Sequence, residues 1–161
     1  MLDEWHDILL ATSGAAAVLA GLILAAMSVN ISAIIKIPSM PSRAGAAIGS
    51  LVAVLVATLA ALIPSQPLWV LGIETMVAAV GVLALHADAS RYQVELRRKI
   101  GFRRVAGNVS LSVLQVVPFF VGAILLLTGS VIGLDWIIAA ALLVFIGSVV
   151  SAWVLLVEIL R

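Results

Sequence analysis

The stretch RYQVELRRKIGFRR, residues 91–104, decides how this chain is read. It holds six of the nine Lys/Arg residues, namely Arg91, Arg97, Arg98, Lys99, Arg103 and Arg104. Long apolar runs lie on both sides of it. The chain is 64% hydrophobic, with a mean hydropathy of +1.28. That is far above a water-soluble domain, so the surrounding solvent is lipid. A dense basic segment between two membrane-length runs marks a cytoplasmic loop.

Working outward from that loop, five runs reach the roughly 20 residues that an α-helix needs to cross a bilayer. They cover about 8–29, 44–63, 68–85, 109–128 and 134–159. The expected fold is therefore all-α: a single domain over residues 1–161, an integral membrane bundle of five transmembrane helices. Little chain remains for a soluble domain. The first run is too long for a signal peptide, and its leader is acidic (Asp3, Glu4, Asp7) rather than basic, so it reads as a retained helix. The absence of cysteine excludes disulfides, thiolate metal sites and a cysteine nucleophile.

Loop charges set the expected orientation. From the N-terminus onward the segments outside the runs carry 0, 2, 0, 6, 0 and 1 basic residues. Every Lys/Arg falls on alternate segments, as five helices with the N-terminus outside and the C-terminus cytoplasmic require. Asp3, Glu4, Asp7 and Asp135 fall on the outer side. Trp5, Trp69 and Trp136 mark the outer boundary, where amphipathic rings settle. The expected location is the bacterial inner (plasma) membrane, multi-pass.

Local punctuation agrees. Pro64 stops the second helix, and Pro67 suits the start of the third. The tight link makes these two helices antiparallel neighbours. The third helix is expected to run on into the cytoplasm to about residue 100. Leu85, Ala89, Tyr92, Leu96 and Ile100 recur there at helical spacing, and Gly101 is the expected stop. Pro38 and Pro41 are expected to break the first loop, after the first helix overruns through Ile34 and Ile35.

Helices associate in lipid through close backbone approach rather than through hydrophobic burial. The first helix carries Gly14, Ala17, Gly21, Ala25 and Ser28 on one strip. The second has a GxxxG at Gly45 and Gly49, and the fifth pairs Gly147 with Ser151. The plain reading is packing within one bundle. The sharper reading is that one strip binds another chain.

Among polar residues Glu74 stands first. It lies six residues after Leu68, hence about 9 Å into the membrane. An intramembrane carboxylate is costly and marks a functional candidate, for a cation, a proton or a partner. No Lys or Arg shares its depth, so the alternative is a carboxyl group hydrogen-bonded to Thr or Ser neighbours. His6 among acidic residues is too sparse for a metal site and reads as an acidic helix start. His86 and Asp88 leave the membrane at the inner side and are expected to be solvated. Asn108, Ser110, Ser112 and Gln115 form a polar inner end on the fourth helix, with Pro118 beyond them. Glu74 and Gln115 lie too far apart in depth to share a site. Arg97, Arg98, Lys99, Arg103 and Arg104 are candidate contacts for anionic lipid head groups. They lie against the membrane without aromatic platforms, which disfavours nucleic acid.

There is no HExxH, GxSxG or phosphate-binding Gly-rich loop with Lys. No enzyme activity, cofactor or metal is expected. Glu4-Trp5-His6-Asp7, the first helix through Gly21-Leu22-Ile23, Asn30, Pro38 with Pro41 and Arg43, Glu74, and Trp153 to Arg161 together resemble a group of small actinobacterial membrane proteins known as modulators of FtsH protease. The resemblance spans most of the chain. It implies contact with a membrane-bound AAA protease and assigns no catalytic residue. For a mycobacterial source, it fits an accessory subunit of an envelope lipid transporter equally well. The expected function is thus a non-enzymatic accessory subunit docking on a larger membrane complex. Glu74, Gly14, Ala17, Gly21, Gly45 and Gly49 are the candidate contacts. The alternatives are a homo-oligomeric cation or proton channel or small transporter using Glu74, and a lipid-binding protein using the basic loop.

Overall fold

The computed structural model describes residues 3–36, 40–95 and 102–159, with side chains described over 4–32, 34–36, 40–91 and 112–153. Across these residues the chain is helical. A 3-10 turn, Asp3–Trp5, leads into α1 (His6–Val29), followed by α2 (Met40–Ala61), α3 (Leu68–Glu95), α4 (Phe102–Leu127) and α5 (Gly133–Ile159). Lipid offers no partner to a backbone amide, and a helix satisfies every interior one, so runs of Ala, Val, Leu and Ile fold this way. Four helices are long and apolar enough to cross a membrane: His6–Val29, Met40–Ala61, Leu68–Arg91 of α3 and Gly133–Trp153 of α5. In α4 the described apolar stretch is the shorter Ser112–Leu127.

The ends follow local chemistry. α1 stops at Val29, where the Asn30 side chain donates to the Ala26 carbonyl at 3.0 Å. A separate helical turn, Ile31–Ile34, follows, so α1 does not run continuously through Ile34 and Ile35. Pro38 lies outside the described residues, and Pro41 does not break the loop. It is the second residue of α2, where no helical amide bond is lost. Between α2 and α3, Pro64 and Ser65 form the corner of a tight turn closed by the Gln66 amide on the Ile63 carbonyl. Ser65 takes a left-handed φ of 59° there. The α4–α5 turn ends α4 in a Schellman motif. Gly129 adopts φ 81°, its amide meets the Leu126 carbonyl, and the Ser130 amide meets the Leu125 carbonyl. The expected continuation of α3 to about residue 100, with Leu96, Ile100 and the Gly101 stop, lies outside the described residues beyond Glu95.

Cross-helix neighbours establish direction. Met27 packs on Met40 and Ala44. Gly49 faces Leu85, Gly72 faces Leu127, and Gly122 faces Gly133. Each helix therefore runs antiparallel to the one before it. Lys36, Arg43 and Arg91 share one end of the bundle, called here the basic end. Glu4, Asp7 and Asp135 share the other with Trp5, Trp69 and Trp136.

α2 is the central element, packing against α1, α3 and α5. Over its membrane-length window 56% of α2 is buried, against 33% for α1 and α5 and 28% for α3. The core it organises includes Leu51, Val54 and Ala57 of α2, Phe119 and Leu126 of α4, and Ile137 and Val144 of α5. α1 closes the bundle by burying Leu9, Ser13, Ala16, Ala20 and Ile23 against α2 and α5.

Candidate functional site

Polar side chains gather in the basic-end half of the bundle. Ser50 of α2, His86 of α3 and Ser112 of α4 meet across three helices. Ser50 donates its only hydroxyl proton to the Ala46 carbonyl at 2.8 Å. Its oxygen is then the acceptor for His86 Nε2–H, 3.0 Å away. On the other side of the ring, His86 Nδ1 lies 3.0 Å from Ser112 Oγ. The roles at the two contacts follow the tautomer of the ring, and in the charged ring both nitrogens donate to serine oxygens. The expectation that His86 is simply solvated is thus corrected. α3 stays helical well past the apolar run and keeps its α2 and α4 neighbours, so the ring is half-buried. Asp88, two residues on, is exposed as expected.

Beside this triad lies a cavity of about 50 Å³, walled by α2, α3, α4 and α5. Its polar lining is Arg43, His86, Ser112, Gln115, Ser148 and Ser151. Ala46, Ala47, Ala89 and Gly147 leave the space by being small. The Gln115 carboxamide lies directly over Gly147, where any Cβ would collide with it. The Gly147/Ser151 pair therefore serves the interior, as α5's half of this cavity. Gln115 is 5% exposed and Ser148 is 2% exposed. Elsewhere Thr12, Ser13, Ser50 and Thr58 each satisfy themselves on their own helix backbone. On the far side of the His86–Ser112 pair, a groove of about 360 Å³ runs between α3 and α4, lined by Leu83, Val113, Val116, Val117 and Phe120.

Glu74 lies toward the opposite end. Gln66, from the α2–α3 turn, donates to its carboxylate at 2.7 Å. The carboxylate is not unpartnered, and its donor is an amide rather than a Thr or Ser. The Gln66 carbonyl oxygen is itself buried without a partner, as is the Thr75 hydroxyl. Glu74 also borders an open, mostly apolar groove of about 660 Å³ between α2 and α3, which Asp88 reaches at its other end. Glu74 and Gln115 line different cavities, in agreement with their separation in depth. Replacing Gln66 with Leu strands the carboxylate and is expected to destabilise the protein by about 1–3 kcal/mol. Glu74→Gln keeps a partner for Gln66 and is expected to cost much less. Thermal unfolding of both variants in detergent checks this, and equal losses would contradict the pairing.

The small-residue candidates divide. Gly14, Ala17 and Gly21, with Ala25 and Ser28, all point away from the bundle, and nothing lies within 4 Å of a Cβ built on Gly14 or Gly21. Packing within the bundle, the plain reading for this strip, is therefore not its use. Gly45 likewise faces open space, whereas Gly49 is covered by Leu85 of α3. Arg97, Arg98 and Lys99 lie outside the described residues. Arg103 and Arg104 are in the first turn of α4, with side chains outside the description. His6 is exposed, and no three His, Asp or Glu side chains come together among the described residues.

The sequence reading missed Ser50 and Ser148 altogether. A signal existed: Ser50, His86, Ser112, Gln115 and Ser148 each interrupt an apolar run near the same end of four consecutive helices. No family model matches the chain, nor does any curated protein or solved structure.

Proposed function

We propose that this chain is a non-enzymatic accessory subunit that docks on a larger complex in the bacterial plasma membrane. A membrane protease or an envelope lipid transporter is the class of partner in view. In this reading all five helices cross the bilayer, α4 included, with the N-terminus outside and the basic end cytoplasmic. The alternate placement of basic residues and the Trp side chains at the acidic end support that orientation. One observation carries the docking reading. The Gly14/Ala17/Gly21 face of α1 is a small-residue strip that the bundle does not use. Small residues facing lipid contribute little to a lone bundle, but they let a second transmembrane helix approach closely.

The test is co-purification of the tagged chain from its native membrane. Gly21→Leu should deplete the partner while leaving the chain folded. Glu74→Leu should weaken the association if the partner also covers the α2–α3 groove. Unchanged co-purification in both variants would overturn the assignment.

A channel reading keeps one supporting observation. Glu74 opens onto the outward α2–α3 groove. A ring of Glu74 side chains therefore requires several protomers packed through that groove. Glu74-dependent cation flux in liposomes holding only this protein would favour it. The described interior speaks against a path within one protomer, because Leu51, Val54, Ala57, Phe119, Ile137 and Val144 fill the bundle's middle.

A further inference from the structure

The basic-end cavity has the character of an anion site. Arg43 is half-buried at its edge, and no carboxylate pairs with it among the described residues. A guanidinium in that position presents a fork of donors suited to a phosphate or carboxylate. Gln115 and Ser148, both more than nine-tenths buried, line the same cavity from α4 and α5. These polar groups line the same small cavity as the arginine, so an occupant there meets one cation and two uncharged hydrogen-bonding groups. The volume, about 50 Å³, exceeds the one-probe space of about 10–15 Å³ that a single water needs. The cavity's α2 residues, Arg43, Ala46 and Ala47, lie within seven residues of the helix start at Met40, hence within about 10 Å of it, near head-group depth.

A second feature selects the kind of anion. The cavity and the apolar α3–α4 groove share His86 and Ser112 as common wall. Polar space thus adjoins a hydrocarbon-lined channel that is open on its lipid side, where Val113 and Val117 are exposed. This is the profile of an amphiphile.

We infer that the cavity binds the phosphate of an anionic membrane phospholipid through Arg43, Gln115 and Ser148, with one acyl chain lying in the α3–α4 groove. His86 and Ser112, hydrogen-bonded to each other, divide the two spaces, so the link between head and tail passes beside them, where Ala89 lines the cavity and Ser90 the groove. The inference does not depend on the docking reading above, since it concerns the opposite side of the bundle from the α1 strip.

The test is native mass spectrometry of the detergent-purified chain after incubation with vesicles of phosphatidylglycerol or of phosphatidylcholine. One phosphatidylglycerol per chain should survive detergent exchange, and phosphatidylcholine should not. Arg43→Gln should reduce that retention about tenfold or more, as expected for losing a charge-assisted contact. Val117→Trp adds bulk only on the lipid-facing wall of the groove. It should lower retention at an unchanged melting temperature, which separates the site from a folding defect. Neutralising Arg97 and Arg98 should leave the tightly held lipid in place, which separates the cavity from the loop. Equal retention of both lipids, or retention unaffected by Arg43→Gln and Val117→Trp, would overturn the inference. So would protection against thermal unfolding by millimolar inorganic phosphate that equals protection by phosphatidylglycerol, because that result assigns the cavity to a free ion.

Discussion

Replacing Gly122 with Leu is expected to abolish the folded state or to lower its melting temperature severely. A Cβ at residue 122 would lie 2.9 Å from the Gly133 carbonyl oxygen and 3.2 Å from the Ile137 side chain. The reciprocal contact is as tight, with a Cβ at residue 133 falling 2.7 Å from the Gly122 carbonyl oxygen. The two carbonyl oxygens are backbone, which cannot rotate aside as a side chain does. Overpacking of ordinary cores costs about 1–3 kcal/mol, and this crossing belongs at or above the top of that range because two helix axes must separate. Separation also disturbs the cavity further along the same pair of helices, where Gln115 rests on Gly147. The control is Gly14→Leu, on a face with nothing within 4 Å. It should leave the monomer's thermal unfolding unchanged in detergent. Comparable losses in the two variants would contradict the packing described.

His86→Leu is the second large effect expected. The imidazole ties α2 to α4 through Ser50 and Ser112, each at 3.0 Å, so one substitution removes two interhelical hydrogen bonds. Ser50 keeps its bond to the Ala46 carbonyl, which limits the damage on α2. A loss of about 1–3 kcal/mol follows from the two bonds, each worth about 0.5–1.5 kcal/mol. His86→Gln, with one donor and one acceptor at similar reach, should recover part of it. Unfolding by graded denaturant, read on the same detergent-solubilised protein, checks the order wild type, Gln, Leu. A Leu variant as stable as wild type would show that the ring is not a tie.

Much of the architecture was legible because membrane helices obey few rules. The apolar runs located α1, α2 and α5 to within a few residues at most ends. The Pro64–Pro67 link placed α2 beside α3, and the polar stretch at the basic end of α4 proved to contain two cavity residues, Ser112 and Gln115. What the sequence did not yield was rotation about each helix axis. α1 offers two strips of small residues, one with Ala16 and Ala20 and one with Gly14, Ala17 and Gly21. Both are compatible with close packing, and lipid is as apolar as the core, so no polarity contrast ranks them. The bundle uses the alanine strip and leaves the glycine strip outside. The same indifference hid the surroundings of His86. Its place at the end of an apolar run suggested water, while its actual neighbours are serines on two helices distant in sequence. Glu74 was recognised from its depth alone. Its partner, Gln66, lies in the short turn that the sequence reading used only to join two helices.

The docking claim rests on the outward face of α1, so the most direct measurement reports on that face in place. A photoreactive amino acid at Ala17, introduced into the tagged chain at native expression and irradiated in intact membranes, should yield one discrete cross-link to a larger membrane protein identifiable by mass spectrometry. The same probe at Val117, on the lipid side of the α3–α4 groove, should not yield that product. A cross-link from Ala17 only to a second copy of this chain, or only to lipid, would contradict the accessory-subunit reading.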